Sequence, residues 1–332
     1  MPELRQNLVT REWVIIATER AKRPEQFKKE KTTVEIPVFD PKCPFCPGNE
    51  ANTPGETFRI NGEKGWKVRV VPNKFAALNV VGDKVRKIDG IMRSLTGVGI
   101  HDVVVETPVH NLTTALLEID DIKDIIKAYK ARYEQILQDD RVDMVIIFKN
   151  HGESAGTSLI HPHSQIIGTP IVPSQVRNRM DIAMDYFDDT GECMYCKIMN
   201  DELKAKERIV LESEHFVAFV PYAGLSPFHT WIFPKRHMTS FRVINENEIS
   251  DLAYQLKTVL GKFYYGLNNP DFNYCIRSNP KDEGEVEYFH WYLTIVPRLT
   301  KVAGFELGSG MYINVTLPEE NADFLRKVEL PK

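Results

Sequence analysis

An internal repeat, marked by cysteines and histidines, is the feature that most constrains the fold of this 332-residue chain. A CxxC motif occurs twice, as CPFC in the first half and as CMYC in the second. After each motif, histidines recur in the same order, at nearly constant distances of 127 to 129 residues. A repeat of roughly 130 residues is too long for a solenoid, so the chain is predicted to be a duplicated domain. The matching pairs are His101 and His229, His110 and His237, and His161 and His290.

Each half shows the same order of predicted elements. Two short strand-like runs follow the CxxC motif, and then come an alternating run, a helix and two further strand-like runs. In the helix of the first half, Ile122, Ile125, Ile126 and Tyr129 recur at helical spacing, and the second half repeats this pattern. The pattern predicts an α+β fold of two halves, with an antiparallel sheet and one long helix per half. The halves are expected to pack side by side, with a shared sheet as one arrangement.

The repeat also gives the predicted domain boundary. Residues 1–175 are expected to form the N-terminal half and residues 176–332 the C-terminal half. Only the two CxxC motifs break the spacing, because they lie 150 residues apart. The first half therefore contains an additional segment, and the run VVGDKVRKIDGIMRS is the obvious candidate.

The composition excludes several classes of function. The net charge of -4 provides no basic surface for nucleic acid. No apolar run approaches the roughly 20 residues of a membrane span, and the N-terminus MPELRQNLVTREWVII has no apolar signal core. A cytoplasmic location is therefore expected. In that compartment, cysteines serve more often as metal ligands or redox groups than as structural disulfides.

Two cysteines and two histidines in each half form matching candidate metal sites. Two thiolates and two imidazoles suit tetrahedral Zn(II), and four protein ligands leave no open position, as in structural zinc sites. Two structural zinc ions per chain are therefore predicted. The first set is Cys43, Cys46, His110 and His161, and the second is Cys193, Cys196, His237 and His290.

Two alternatives to these sets remain open from the sequence. Each CxxC motif could be redox-active with incidental histidines, although no thioredoxin-like βαβ pattern surrounds either one. In the second half, His229 competes with His237 for the third ligand position. His237 ends a strand at FPKRH as His110 does at TPVH, which favours His237. His101 and His229 are then expected to be residues of the sheet.

The run HPHSQ contains a second histidine, His163, that has no counterpart in the repeat. Its equivalent position holds Tyr292, so one active site per pair of halves is predicted. Residues two apart in a strand share a face, which would place His163 beside the first metal set without belonging to it. A neutral imidazole is a good nucleophile, and Gln165 on the same face could donate to a phosphate oxygen. The alternative is a structural histidine next to the metal.

The run NHGESAGTS, directly before HPHSQ, is a candidate phosphate-binding loop. Its glycines and hydroxyls could present backbone N–H groups to a phosphate. A glycine-rich connection between two strands is the equally open alternative. The residues concerned are Asn150, Gly152, Gly156, Thr157 and Ser158.

Taken together, these motifs resemble a known family. HPHSQ is similar to the HxHxQ signature of the histidine triad superfamily, and the whole chain resembles the galactose-1-phosphate uridylyltransferase family almost end to end. The resemblance implies two histidine-triad-like halves and a CxxC zinc site completed by the first histidine of HPH. It also implies a covalent uridylyl intermediate on the second histidine, His163, and a homodimer.

The resemblance further implies roles for individual residues. Arg20 and Arg23 would contact phosphate or sugar phosphate, and Glu306 would bind sugar hydroxyls. The remaining candidates are the nucleophile His163 with its phosphate-binding helper Gln165, the phosphate contact Ser158, the nucleotide contact Asn150, and the nucleotide-pocket residues Asn73, Phe75 and Ala76.

The chain departs from the best-known members of the family at two places. Ser164 stands where those members have Gly or Cys, and Tyr312 stands where their tail has Gln. HPHSQ, the second CxxC site and the tail GFELGSGMYIN are similar to a subgroup that includes ADP-glucose phosphorylase. The departures bear on which base and which acceptor the chain uses.

The expected function is ping-pong transfer of a nucleotide through His163. The main expectation is uridylyl transfer between UDP-glucose and a hexose 1-phosphate. The alternative is adenylyl transfer from ADP-glucose to phosphate, which uses the same nucleophile. A histidine triad hydrolase with water as acceptor, and a zinc-stabilised binding protein without catalysis, are the remaining possibilities.

Overall fold

A single ten-stranded antiparallel sheet runs through both halves of the computed structural model, which describes residues 1–17, 24–27 and 36–331. The strands in these ranges are β1 (Glu3–Gln6), β2 (Trp13–Ile16), β3 (Phe58–Gly62), β4 (Gly65–Pro72), β5 (Arg86–Asp89), β6 (Met92–Leu95), β7 (Ile100–Val105), β8 (Met144–His151), β9 (His163–Thr169), β10 (Ile209–Glu212), β11 (Phe216–Phe219), β12 (Thr230–Pro234), β13 (Phe272–Arg277), β14 (Tyr292–Pro297) and β15 (Tyr312–Asn314). The helices are α1 (Ile119–Leu137), α2 (Ser174–Thr190), α3 (Met194–Ala205), α4 (Glu246–Gly266), α5 (Gly304–Ser309) and α6 (Pro318–Lys327).

The order of strands in the large sheet reflects the duplication. From one edge to the middle the first half contributes β3, β4, β7, β9 and β8, and from the other edge the second half contributes β10, β11, β12, β14 and β13. The halves meet where β8 pairs with β13, with Ile147 opposite Ile276. The predicted α+β fold of two related halves is therefore confirmed, and the halves share one sheet.

Helices α1 and α4 cover one face of the sheet. Their apolar stripes pack into one core with the inward residues of both halves, as the helical spacing predicts. α4 begins with a capping box between Asn245 and Glu248, which satisfies two free N–H groups of its first turn. Within the described ranges, no helix has both the length and the apolar character that crossing a membrane requires.

The opposite face is covered unevenly. In the second half, α2 and α3 pack on it through a separate apolar cluster that includes Trp231, Phe233 and Tyr292. In the first half, a smaller cluster of described residues packs on it, around Cys43, Phe45 and neighbouring residues of β4 and β7. Helix α2, with 17 residues, was not part of the sequence prediction of one long helix per half. The division at 175/176, which falls in the first turn of α2, stays a prediction.

A buried polar network lies under β9 on the face of α1 and α4. Lys149 forms an ion pair with Glu106, and its ammonium also lies 3.4 Å from the carbonyl oxygen of His163. The hydroxyl of Tyr129 donates to Ser164 Oγ at 2.6 Å. Burial alone would raise the pKa of Glu106, but the charge and hydrogen bond of Lys149 hold it below its ordinary value. Ser164 therefore faces the helices, away from the side of the sheet on which His163 and Gln165 lie.

Two smaller sheets lie outside the large one. β5 and β6 form an exposed hairpin within the segment that the spacing of the repeat marks as additional. β1, β2 and β15 form the second, in which β15 runs parallel to β2. This pairing joins the C-terminal tail to the N-terminal strands.

Candidate functional site

The structure brings the first predicted set of metal ligands together. The ligand atoms of Cys43, Cys46, His110 and His161 all lie within 4.8 Å of one another, and all four residues are buried. The sulfur-to-Nδ1 distances are 3.5 Å from Cys46 to His110, 3.6 Å from Cys46 to His161 and 3.7 Å from Cys43 to His161. A tetrahedral zinc site with ordinary bond lengths places sulfur and nitrogen about 3.6 Å apart. The cluster therefore has the dimensions of a metal site.

The second cluster contains His237 and not His229. Cys193, Cys196, His237 and His290 have their ligand atoms within the same 4.8 Å limit. Cys196 Sγ lies 3.3 Å from Nδ1 of both His237 and His290. His229 lies in the sheet region, and its Nε2 is 2.8 Å from Thr294 Oγ1.

The strand assignment for the third ligands was wrong in detail. His110 and His237 do not end strands: they lie in the segments beyond the ends of β7 at Val105 and β12 at Pro234. Each histidine nevertheless lies beside its CxxC motif, with His110 Nδ1 3.5 Å from Cys46 Sγ and His237 Nδ1 3.3 Å from Cys196 Sγ. This position lets the two histidines reach cysteines far away in sequence.

Hydrogen bonds orient the histidines of the clusters. Nε2 of His161 donates to the carbonyl oxygen of Thr107 at 2.7 Å, and Nε2 of His237 donates to Val286 O at 3.1 Å. Each bond fixes the proton on Nε2 and leaves Nδ1 with a lone pair toward the cysteines. Burial lowers the pKa of His161 to about 4, so its imidazole is neutral near pH 7. Neutral imidazole is the form that binds a metal.

The choice between His237 and His229 can be tested by metal content. His237→Ala removes one of four ligands and is expected to reduce the bound metal from two ions per chain to one. His229→Ala is the matched control and is expected to retain both, since His229 contacts Thr294 instead of a cysteine. Elemental analysis of the purified variants measures both results. A metal ion lost only in His229→Ala would contradict the assignment.

His163 lies beside the first cluster but makes different contacts. It is the first residue of β9, is 8% exposed, and has Phe45 of the CPFC loop packed against its ring with centroids 5.5 Å apart. Its Nδ1 donates to the carbonyl oxygen of His161 at 2.8 Å. Burial lowers the pKa of His163, which favours the neutral ring. A neutral ring with its proton on Nδ1 carries a lone pair on Nε2, as a nucleophilic imidazole requires.

Gln165 is held by His101, a residue that sequence reasoning assigned only to the sheet. The backbone N–H of Ala77 donates to His101 Nδ1 at 3.0 Å, so the ring proton must be on Nε2. Nε2 donates to Gln165 Oε1 at 2.7 Å. The amide oxygen of Gln165 is thereby occupied, and its NH2 group remains to donate to a ligand. The recurrence of a histidine at His229 was the signal in the sequence that could have suggested this role.

Loss of the His101 hydrogen bond is expected to slow reaction at His163. In His101→Leu, the 2.7 Å hydrogen bond that holds the amide of Gln165 in its donating orientation is lost and only the 3.5 Å contact from Asn73 Nδ2 remains, so we expect a decrease of about 10-fold to 100-fold in turnover. Gln165→Ala is expected to reduce turnover at least as much, and the double variant should lose little more than Gln165→Ala alone. Steady-state rates of the three variants give the result. Additive losses would show that His101 acts independently of Gln165.

The end of β8 and the loop between β8 and β9 are hydrogen-bonded to a residue of the second half. Asn150 Oδ1 accepts from Asn273 Nδ2 at 2.8 Å, and Asn273 also donates to the carbonyl oxygen of Ala155 at 2.9 Å. Gly156 has φ +87°, a left-handed conformation that favours glycine. Ser158 is exposed in the same loop. A residue of the second half therefore fixes the loop and orients the Asn150 side chain, a contact that the sequence did not reveal.

The predicted nucleotide-pocket residues lie next to this group. The backbone N–H of Phe75 donates to Asn73 Oδ1 at 2.9 Å, which turns the Asn73 amide nitrogen toward Gln165 Oε1 at 3.5 Å. Asn73 and Ala76 line a cavity of about 570 Å³ together with His101. Phe75 is 86% exposed and is not among the described residues that line this cavity.

Of three further candidates, the structure describes only one. Arg20 and Arg23 lie outside the residues that the structure describes. Glu306, in α5, lines a different cavity of about 510 Å³ beside β13 and β14, and His163 is not among the described residues that line it. The structure therefore does not bring Glu306 into the cavity next to Gln165.

The fold and the site together define a duplicated α+β protein of two fused halves, each with a Cys2His2 cluster, of which one carries the nucleophile candidate. Two family models match the chain: the galactose-1-phosphate uridyl transferase N-terminal domain over residues 1–173 and the C-terminal domain over residues 179–330. The chain belongs to the galactose-1-phosphate uridyl transferase family, and the resemblance seen in its motifs is confirmed.

Individual relatives are similar over almost the whole chain. ADP-glucose phosphorylase of Arabidopsis thaliana is 41% identical, with 99% of this chain and 93% of the relative covered. Galactose-1-phosphate uridylyltransferase of Thermotoga maritima is 30% identical, with 99% of both covered. A crystal structure of ADP-glucose phosphorylase from Arabidopsis thaliana with bound ADP-glucose superimposes with a TM-score of 0.85 at 38% identity, covering 100% of both chains.

Proposed function

We propose that the protein transfers a nucleotide from a nucleotide sugar to a phosphate-bearing acceptor through a covalent intermediate on His163. The observation that carries the proposal is the hydrogen bond from His163 Nδ1 to the carbonyl oxygen of His161 at 2.8 Å. It leaves the Nε2 lone pair for attack, on the side of the sheet that also carries Gln165. Tyr292 replaces this histidine in the second half, which supports one reaction centre per chain.

The reaction has two displacements at phosphorus. His163 Nε2 attacks the α-phosphorus, a bond forms between nitrogen and phosphorus, and the bond to the bridging oxygen breaks so that hexose 1-phosphate leaves. An oxygen of the acceptor phosphate then attacks the same phosphorus and releases His163. Gln165 would donate its NH2 group to an oxygen of the transferred phosphate as negative charge shifts. Asn150, Ser158, Arg20 and Arg23 are proposed as further contacts to the nucleotide and its phosphates.

Both metal clusters are proposed to hold zinc in a structural role. Two thiolates and two imidazoles match the preference of Zn(II), and four ligands leave no open position. Burial of the first cluster and its hydrogen-bonded imidazoles support this assignment. When bound, zinc would fix the segment of Cys43 and Cys46 against the strand that presents His163.

We favour ADP-glucose as donor and inorganic phosphate as acceptor, with UDP-glucose and a hexose 1-phosphate as the second candidate. The greater identity to ADP-glucose phosphorylase, 41% against 30% for the uridylyltransferase, supports this order. The similarity to a structure with bound ADP-glucose supports it as well. Ser164 contributes nothing to the choice, because it faces Tyr129 in the buried network.

Intact-protein mass spectrometry tests the donor and the acceptor separately. The zinc-loaded protein is incubated with ADP-glucose or with UDP-glucose, and the added mass identifies AMP or UMP on the chain. Inorganic phosphate or galactose 1-phosphate is then added to discharge the adduct. We expect AMP and discharge by phosphate, whereas discharge by water alone would indicate a hydrolase. Absence of an adduct with both donors would contradict the proposed transfer.

A further inference from the structure

The second half retains the geometry of the first-half site without its nucleophile. β9 pairs Gln165 with Phe148, and β14 pairs Thr294 with Cys275 at the equivalent positions. By the same offset of 127 residues, Arg277 on β13 is the equivalent of Asn150 on β8. The duplication has therefore placed a guanidinium where the first half has an amide beside its reaction centre.

The histidine that supports this position is also retained. In the first half, His101 accepts from the Ala77 N–H at 3.0 Å and its Nε2 lies 2.7 Å from Gln165 Oε1. In the second half, the N–H of Leu225 lies 3.3 Å from His229 Nδ1, and His229 Nε2 lies 2.8 Å from Thr294 Oγ1. A similar frame of backbone and imidazole thus lies under both positions, with the difference that the Trp231 Nε1–H also donates to His229 Nε2 at 3.1 Å.

The second half cannot carry out the same chemistry. Tyr292, at the position of His163, is 3% exposed and packs against aromatic rings of the second-half cluster. Its ring centroid lies 5.0 Å from that of Phe233, 5.3 Å from Trp231 and 5.7 Å from Tyr195. A phenol enclosed in this way offers no nucleophile to a ligand, so the retained frame has a binding role only.

Unpaired cations line the cavity at this position. Arg277, and Arg179 from α2, both line the cavity of about 510 Å³ beside β13 and β14, whose wall also includes the carboxylate residues Glu12 and Glu306. Arg179 Nη1 donates to the carbonyl oxygen of Gln175 at 3.1 Å. In the part of the chain that the structure describes, neither guanidinium has a carboxylate within 4.0 Å, and Arg179 Nε is buried without a hydrogen-bond partner. Ser226 Oγ, in the same cavity wall, is likewise buried and unpartnered. Burial, followed by the charges of Arg277 and Arg179, lowers the pKa of His229 to about 3.

The two arginines and the unpartnered polar atoms of this cavity wall carry a desolvation cost unless a ligand contacts them. A partly buried guanidinium without a carboxylate loses hydration without gaining a counter-charge, and buried polar atoms without partners are rare. A phosphate group would supply acceptor oxygens and two negative charges, and arginine binds it in bidentate geometry. A carboxylate ligand would satisfy fewer donors, and an uncharged ligand would leave both cations unpaired.

We infer that the cavity lined by Arg179, Arg277 and Ser226 is a second, non-catalytic binding site for the phosphate group of a nucleotide or sugar phosphate. The site is separate from His163 and does not depend on the proposed transfer reaction. Its size is within the range of small-molecule sites, so the cavity has room for a sugar or nucleoside beside the phosphate.

The number of ligands per chain tests this site. Isothermal titration calorimetry is carried out on zinc-loaded protein with His163→Asn, which removes the chemistry, using AMP, glucose 1-phosphate and inorganic phosphate as separate probes. We expect two equivalents of at least one probe in this background. Binding of inorganic phosphate at the second site would show that the phosphate alone suffices, whereas binding of AMP or glucose 1-phosphate only would show that the base or sugar contributes.

Variants locate the second equivalent. Arg277→Gln is expected to weaken it by about 10-fold or more, as loss of a charge-assisted hydrogen bond does, and to leave the first equivalent unchanged. Arg179→Gln provides an independent variant on α2 in case Arg277→Gln does not fold, and Arg86→Gln, in the exposed β5 strand, is the matched control. One equivalent of every probe before mutation, or two unchanged equivalents in both folded arginine variants, would overturn the inference.

Discussion

Replacement of His163 by asparagine is expected to abolish the nucleotide adduct and to reduce turnover by at least about 10⁴-fold. Asparagine can keep a hydrogen bond to the carbonyl oxygen of His161, but an amide nitrogen has no lone pair available for attack on phosphorus. The burial of His163 behind Phe45 also means that the variant changes little of the surface. Because asparagine is smaller than the buried imidazole, a loss of stability of about 1 to 2 kcal/mol is expected, whereas the chemistry is lost entirely.

His215→Asn is the matched control for this experiment. His215 is partly exposed directly before β11 in the second half, where its backbone N–H donates to Asp251. The His215→Asn variant should form the adduct at the wild-type rate. An adduct of full mass in His163→Asn, with normal zinc content, would show that another residue is the nucleophile, and peptide mapping of the labelled chain would then identify it.

The two Cys2His2 clusters could be predicted because their residues are few, chemically distinctive and repeated. Cys43 and His161 are 118 residues apart, and only the recurrence of the same order of cysteines and histidines in the second half, with Cys193 and His290, indicated that they belong together. A long helix such as α4 could be predicted equally well from the sequence, since its buried residues recur at helical spacing. The same repeat decided in favour of His237, which the structure places in the second cluster.

Contacts that depend on the packing of the two halves could not be read from the sequence. Asn273 fixes the loop of Ala155 across the pairing of β8 with β13, and nothing in its local sequence indicates a partner 118 residues away. The role of His101 was missed for a related reason. A histidine in an alternating run is usually a residue of the sheet, and only the Ala77 N–H shows which ring nitrogen carries the proton. Helix α2 has no counterpart among the described residues of the first half, and the repeat gave no signal for it.

Removal of a ligand from the first cluster is expected to affect both stability and catalysis. Cys43→Ser should reduce bound zinc from two ions per chain to one and lower the free energy of unfolding by at least about 3 kcal/mol, because metal binding and folding are coupled. Cys43 lies in the same short loop as Phe45, whose ring centroid is 5.5 Å from that of His163. Loss of the metal frees this loop, so the rate of adduct formation should fall as well.

Two comparisons separate the metal effect from general damage. Cys275→Ser changes a cysteine of β13 outside both clusters and should retain two zinc ions and the wild-type rate. His237→Ala should also lose one zinc ion, but from the second cluster, whose half carries Tyr292 in place of the nucleophile. Its stability should fall while adduct formation on the folded protein is preserved.

Zinc content, urea unfolding and the rate of adduct formation, measured on all three variants, distinguish these outcomes. Two zinc ions in Cys43→Ser would contradict the assignment of the first cluster. Equal rates in Cys43→Ser and His237→Ala, at equal folded fractions, would show that the first metal does not support His163.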